Sequence, residues 1–112
     1  MDKNSKPIAP AIGSKTGIYI SGIVISNDAR TIKLKDGTTR VSVKHELALD
    51  PGLITLDRFI DPKTTNEVKV VGDEVKDFPQ LKKFESIIVR VQKIKEYNKQ
   101  MTASDWELVP GQ

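Results

Sequence analysis

Few side chains in this sequence of 112 residues have the chemistry of a catalytic centre. His45 is the only histidine and cysteine is absent, which excludes a thiol nucleophile and a metal site built on several cysteines and histidines. The acidic pairs Glu46 and Asp50, and Asp73 and Glu74, have no companion motif. The glycines form neither a phosphate-binding loop nor a dinucleotide fingerprint. We therefore predict a protein that is not an enzyme and that uses no cofactor and no metal.

Charged side chains are distributed unevenly along the chain. Residues 1–45 carry eight Lys or Arg against three Asp or Glu, whereas residues 46–89 carry six against nine, and the net charge is +3. An excess of cations in one part of a chain indicates a polyanionic partner. A mixed, solvated surface would give the same pattern.

Sequence-tolerant binding of a single-stranded nucleic acid requires cations along a groove and aromatic rings on which bases stack. Tyr97 lies next to a predicted turn, Tyr19 is out of phase with its apolar neighbours, and Trp106 alternates with Leu108. We predict that the two tyrosines and the tryptophan stack on bases, and we interpret the phenylalanines as core residues. The side chains that we expect to contact phosphates are Lys33, Lys35, Arg40, Lys44, Arg90, Lys93 and Lys95.

Strands must position these side chains, and three are predicted in the first half of the chain. Alternation of apolar and polar residues predicts strands at 17–26, 31–35 and 38–44. The first would bend at a glycine and be followed by a turn at 27–30, while Asp36-Gly37 predicts a tight hairpin. The three strands would form an antiparallel meander whose solvent face presents a row of cations.

The second half of the chain is less regular. Residues 53–60 fit a strand or a short helix, and 78–84 predict one helical turn with a proline near its start. A long strand at 84–97, which also bends, and a closing strand at 101–110 then form a hairpin.

Three strands, a connecting segment and a two-stranded hairpin are the element order of a small five-stranded OB-like Greek-key barrel. We therefore predict an all-β domain, or a mainly β domain with one short helix, at 17–110, preceded by a flexible tail at 1–16. No apolar run reaches the ~20 residues of a membrane helix, and the N-terminus lacks the apolar centre of a signal peptide. We expect a cytoplasmic location and no membrane contact.

The last quarter of the chain, FESIIVRVQKIKEYNKQMTASDWELVPGQ, resembles the closing hairpin of OB-fold nucleic-acid-binding domains. It is similar, more narrowly, to the tail of the small single-stranded-DNA-binding proteins of filamentous phages, which end on Leu-Val-Pro, here Leu108 to Pro110, and a short polar coda. The resemblance implies a homodimer or higher homo-oligomer in the host cytoplasm. It also implies cooperative coating of single-stranded DNA in phage or mobile-element replication, and translational repression by messenger RNA binding.

Single-stranded DNA binding is therefore the first hypothesis, and it requires affinity that falls with salt. The second is a protein-protein adaptor of a phage or mobile element that docks through Leu53, Leu56 and Phe59, which requires these residues to form one exposed patch. The third is an RNA-binding module, which the cations of the sheet would also allow.

Overall fold

A computed structural model describes residues 16–110, with the exception of the Tyr97 side chain. The predicted tail at 1–16 lies outside the described residues except for Thr16, as does the polar coda at 111–112. The described residues form seven strands and no helix, so none of them forms a helix able to cross a membrane. The strands are β1 (Ile18–Lys33), β2 (Thr39–Ala48), β3 (Leu53–Ile60), β4 (Lys69–Val71), β5 (Glu74–Asp77), β6 (Ser86–Tyr97) and β7 (Gln100–Leu108).

Five of the strands close into a barrel in the order β1-β2-β3-β7-β6, with β6 hydrogen-bonded back to β1. All pairs are antiparallel except β3 and β7, which are parallel. This confirms the predicted all-β, five-stranded barrel, and the strand order is compatible with an OB-like fold. The connection between β3 and β6 contains β4 and β5, which form a separate hairpin.

β1 is one strand of 16 residues, so the predicted turn at 27–30 is wrong. The polar residues there remain extended because each pairs with β2, for example Asn27 with His45. A bulge between Val24 and Ser26 shifts the inward-facing positions by one residue. The bulge lies beyond the predicted bend at Gly22, where a Cβ would approach the carbonyl oxygen of Ala48 to 3.0 Å.

The turn between β1 and β2 confirms the predicted hairpin at Asp36-Gly37. Gly37 has a φ of 87°, a conformation that glycine adopts without steric cost. The Asp36 carboxylate accepts hydrogen bonds from the Thr38 amide at 2.9 Å and the Thr38 hydroxyl at 2.6 Å. These bonds lower the pKa of Asp36.

The segment at 78–85 is not helical because its backbone bonds to β1. The Asn27 side chain accepts a hydrogen bond from the Leu81 amide at 3.0 Å and donates one to the Leu81 carbonyl at 2.9 Å. The Phe84 amide, in a residue with a φ of 68°, donates to the Val24 carbonyl at 2.7 Å. These bonds replace the local bonds of a helical turn and fasten the connecting segment to the barrel.

Two apolar clusters fill the described structure. The barrel interior contains Val24, Leu47, Ile54, Leu56, Val89, Val91, Ala103 and Trp106. A second cluster, of Val41, Val43, Ile60 and Val68, contacts partly buried side chains of β4, β5 and Phe78. The two-residue turn at Asn98 and Lys99, both with positive φ, joins β6 to β7 and confirms the predicted closing hairpin.

Candidate functional site

The outer face of β2 and β3 is the surface on which several of the predicted cations lie. Directly paired residues of antiparallel strands place their side chains on the same face. Ser42 pairs with Phe59, and Lys44 pairs with Asp57. Ser42 lies on this face and is buried between the larger residues opposite it, Arg30 on β1 and Phe59 on β3.

Phe59 is the most exposed aromatic residue of this face. Its exposed fraction is 63%, so our interpretation of Phe59 as a core residue is wrong. β3 buries Ile54 and Leu56, and alternation along the strand points Phe59 to the opposite side. Phe84 is also exposed, at 77%, whereas Phe78 is half-buried against the second apolar cluster.

A cleft opens where β3 and β7 separate. Their pairing ends at Leu56 and Ala103, and beyond it lies a cavity of about 390 Å³. The Trp106 indole N–H crosses the gap and donates to the Asp57 carbonyl at 3.1 Å. The Arg58 guanidinium lies 4.4 Å from the centroid of the indole ring. The lining residues are Asp57, Arg58, Phe59, Ser104, Asp105 and Trp106.

One oxygen in this cleft lacks a hydrogen-bond partner. Oδ1 of Asp57 is buried, and no side chain or backbone group of the described residues bonds to it. Buried polar atoms are nearly always paired, and an unpaired one costs free energy of folding. Oδ1 of Asp57 is therefore an acceptor that the described residues leave unsatisfied beside the cleft.

The predicted cations of β1 and β2 are not equivalent. Lys33 and Lys35 are exposed at the β1–β2 turn. Arg40 is half-buried and its guanidinium lies 3.6 Å from the Asp61 carboxylate. Lys44 is exposed but lies in register between two acidic residues, Asp28 on β1 and Asp57 on β3. We name the two lysines at the turn, Lys33 and Lys35, the β1–β2 cations.

The predicted cations of β6 divide in the same way. The side chain of Arg90 is only 13% exposed, and it donates to Glu107 at 3.3 Å and to the Thr16 carbonyl at 2.9 Å. Lys93 and Lys95 are exposed near the β6–β7 turn, and Lys99 in that turn is a further exposed cation that sequence analysis missed. We name these three lysines the β6–β7 cations.

The two groups of lysines, the β1–β2 cations and the β6–β7 cations, lie at opposite ends of β3. β2 begins after the β1–β2 turn and its first residues pair with the end of β3, at Val41 and Ile60. β7 begins after the β6–β7 turn and runs parallel to β3, pairing near its start at Ile54 and Met101. The outer face with Phe59 therefore lies between two lysine-bearing turns.

The structure places neither Trp106 nor Tyr19 on this face. Trp106 is 7% exposed within the barrel core, where the edge of its ring meets His45 at 5.5 Å and Arg58 covers one face. A ring that is 7% exposed is not accessible to a base, so the interpretation of Trp106 as a stacking residue is wrong. Tyr19 is half-buried opposite Arg90 on the β1–β6 side. The Tyr97 side chain lies outside the described residues.

His45 is a core residue in the middle of β2. It is 3% exposed, and its Nδ1–H donates to Oδ1 of Asn27 at 2.6 Å. Burial, and to a lesser extent the charge of Arg58, lowers the pKa of His45 to about 4. Its imidazole is therefore neutral at physiological pH. Among the described residues, no group of three His, Asp or Glu side chains could hold a metal ion.

The apolar residues of the adaptor hypothesis do not form one patch. Leu56 is fully buried in the barrel, whereas Leu53 and Phe59 are 50% and 63% exposed. Leu53 and Phe59 lie on the outer face, and the intervening positions on that face are Thr55 and Asp57. The predicted docking surface is therefore divided.

Sequence analysis missed Asp57 and Arg58 as site residues, and it considered Phe59 only as a core residue or as a docking residue of an adaptor. The signal was present in LITLDRFI, since a strand that buries Ile54 and Leu56 must turn Asp57 and Phe59 outward. Because residues 53–60 also fit a short helix, the sequence alone did not determine which side chains face outward. No protein-family model, no curated protein and no solved structure matches this chain, so the geometry of β2, β3 and the cleft is the basis for a functional proposal.

Proposed function

We propose that the protein binds single-stranded DNA across the outer face of β2 and β3. The observation that carries the proposal is Phe59, an aromatic ring 63% exposed on the outer face of an OB-like barrel, between two lysine-bearing turns. A base stacks on such a ring whatever its identity, and stacking contributes about 1–3 kcal/mol per base. An exposed aromatic at this place has no role in the barrel core.

The spacing of the cations suits an extended single strand of DNA. β2 has 10 residues, and at about 3.3 Å per residue it spans about 30 Å. A DNA strand lying along this face would contact the β1–β2 cations at one end and the β6–β7 cations at the other. OB folds accommodate roughly 4–16 nucleotides, and phosphate contacts at both ends with stacking between them make binding tolerant of sequence.

The biological setting is proposed from the resemblance of the closing hairpin. A small single-stranded-DNA-binding protein of a phage or mobile element would coat replication intermediates in the host cytoplasm as a homodimer or higher homo-oligomer. Sedimentation of the free protein tests the oligomeric state.

Fluorescence anisotropy of a labelled oligo-dT tests the proposed function. Binding measured at about 50 and about 200 mM salt should weaken by about a hundredfold if the five exposed lysines each contact a phosphate. Unlabelled duplex should compete poorly, because its bases are not free to stack. Affinity that is equal at both salt concentrations would contradict the proposal, and preference for an RNA strand of the same length would favour the RNA-binding alternative.

A further inference from the structure

We propose that the cleft between β3 and β7 is a subsite for one guanine base of the bound strand. This inference rests on the proposed function, because the strand must first lie across β2 and β3. It goes further in naming one position at which binding depends on sequence. The supporting features are a cavity between β3 and β7 and, on three consecutive residues of β3, an unpaired buried acceptor, a guanidinium that contacts Trp106, and an exposed ring.

The dimensions and lining of the cleft suit a planar ligand. Its volume of about 390 Å³ lies in the range of small-molecule pockets, roughly 300–1,000 Å³. Phe59 is exposed at the cleft and continues the stacking surface of β3 into it. A base that leaves the stack on the outer face can therefore enter the gap between the strands.

Oδ1 of Asp57 has no hydrogen-bond partner among the described residues. A carboxylate only accepts hydrogen bonds, and its two oxygens match two adjacent donors. Among the four bases, only guanine presents two adjacent donors on its Watson–Crick edge, N1–H and the N2 amine. Adenine and cytosine place a ring-nitrogen acceptor beside their amine, and thymine flanks its single N–H with two carbonyls, so each brings an acceptor against the carboxylate.

Arg58 complements the acceptor edges of the same base. Its guanidinium is held at 4.4 Å from the Trp106 ring and donates to the Trp106 carbonyl at 3.5 Å. Arginine is the usual donor to O6 and N7 of guanine. Asp57 and Arg58 extend from opposite faces of β3 and both line the cleft, so the acceptor and the donor that the two edges of guanine require are both present there.

Oligonucleotides with one substituted base test the subsite on the unaltered protein. We expect a dT oligomer with one central dG to bind about tenfold tighter than dT alone, the discrimination of one well-placed bidentate contact. Central dA or dC should give no gain. Inosine in place of dG lacks only the N2 amine and should lose most of the gain, and Trp106 emission should change with dG more than with dT.

A pair of matched variants assigns the preference to Asp57. Asp57→Asn replaces one acceptor by a donor, so the preference for dG should disappear and dA or dC should gain. Asp28→Asn removes the same charge from the other side of Lys44, outside the cleft, and should keep the preference for dG. Circular dichroism verifies that both variants are folded.

The outcomes separate this inference from the proposed function. Equal binding of dT and dG oligomers would overturn the guanine subsite and leave single-stranded DNA binding in place. Retention of the dG preference in Asp57→Asn, or an inosine oligomer that binds as tightly as dG, would also overturn it. Binding of no oligomer at all would overturn both. If Asp57→Asn does not fold, the inosine comparison decides.

Discussion

The two halves of β3 differ although they belong to one strand of eight residues. The first half, Leu53 to Leu56, hydrogen-bonds to β2 on one side and β7 on the other, and its inward residues are fully buried. The second half, Asp57 to Ile60, still pairs with β2 but has lost β7. There the strand presents an unpaired carboxylate oxygen, a guanidinium and an exposed ring.

The difference between the two halves shows that ligand binding on this barrel depends on where the pairing between β3 and β7 ends. A strand paired on both sides has its backbone groups satisfied and its inward side chains packed. Once β7 departs, the same strand has space beside it, and Asp57 and Arg58 occupy positions that a neighbouring strand would otherwise cover. The first half of β3, Leu53 to Leu56, is the closed half and stabilises the barrel. The second half, Asp57 to Ile60, is the open half and provides a ligand-accessible surface.

The largest expected effect belongs to the closed half. Leu56→Ala should lower the free energy of unfolding by about 2–5 kcal/mol, because it removes a fully buried side chain and leaves a cavity. Leu53→Ala, with the same change at a half-exposed position, should stay within about 0.5 kcal/mol. Urea denaturation followed by Trp106 fluorescence measures both. Equal losses for the two variants would show that the two sites are not buried as described.

Acid should lower the stability of the fold through His45, which lies at the junction of the two halves of β3. There it pairs with Leu56 and its ring contacts Trp106. The pKa of His45 is about 4 in the folded chain against about 6.5 unfolded. The unfolded chain therefore binds the proton first, and stability is lost as pH falls from about 6.5 towards 4. Between about pH 7.5 and pH 5 the loss should reach about 2 kcal/mol.

The His45→Gln variant is the control for this pH dependence. Glutamine can still bond to Asn27 but does not titrate, so its unfolding free energy should vary less over the same pH range. Carboxylates titrate alike in both proteins, and the difference between the two slopes isolates the histidine. Identical slopes would mean that His45 keeps an ordinary pKa.

The parts of the fold that were predictable have local causes. The hairpin at Asp36-Gly37 and the turn at 98–99 are determined by residues that favour tight turns, and alternation identifies β6 and β7. The course of β1 was not predictable locally, since the polar residues after Val24 are typical of a turn. They stay extended because β2 supplies a partner for each, which is a long-range effect.

The candidate site was less predictable than the fold. Lysine counts located cations but not their partners, and Arg40 and Arg90 proved to be paired with Asp61 and Glu107. Those pairs depend on which strands become neighbours. The unpaired oxygen of Asp57 depends on where β3 and β7 separate, and no local pattern encodes that point.

Phe59 tests the binding role of the open half. Phe59→Ala should weaken oligo-dT binding by about 1–3 kcal/mol, the contribution of one stacked base, with a change in stability of no more than about 0.5 kcal/mol. Phe84→Ala is the matched control, because Phe84 is also exposed but bonds through its backbone to β1, away from this face. An equal loss in both variants would indicate non-specific hydrophobic contact.

The smallest expected effect is that of substituting the β6–β7 cations. It decides whether the bound DNA strand extends past the closed half of β3. Lys93→Gln with Lys95→Gln should reduce the slope of log affinity against log salt by about 1.4, since each phosphate contact on a single strand contributes about 0.7. The control replaces Lys76 and Lys82, which are already paired with Glu74 at 2.6 Å and Glu85 at 3.3 Å, and should leave the slope unchanged. If the Lys93→Gln and Lys95→Gln pair also leaves the slope unchanged while Phe59→Ala weakens binding, the bound DNA strand contacts only the open half of β3. The site would then be a short one, centred on Phe59 and the cleft, because no phosphate would reach the far turn.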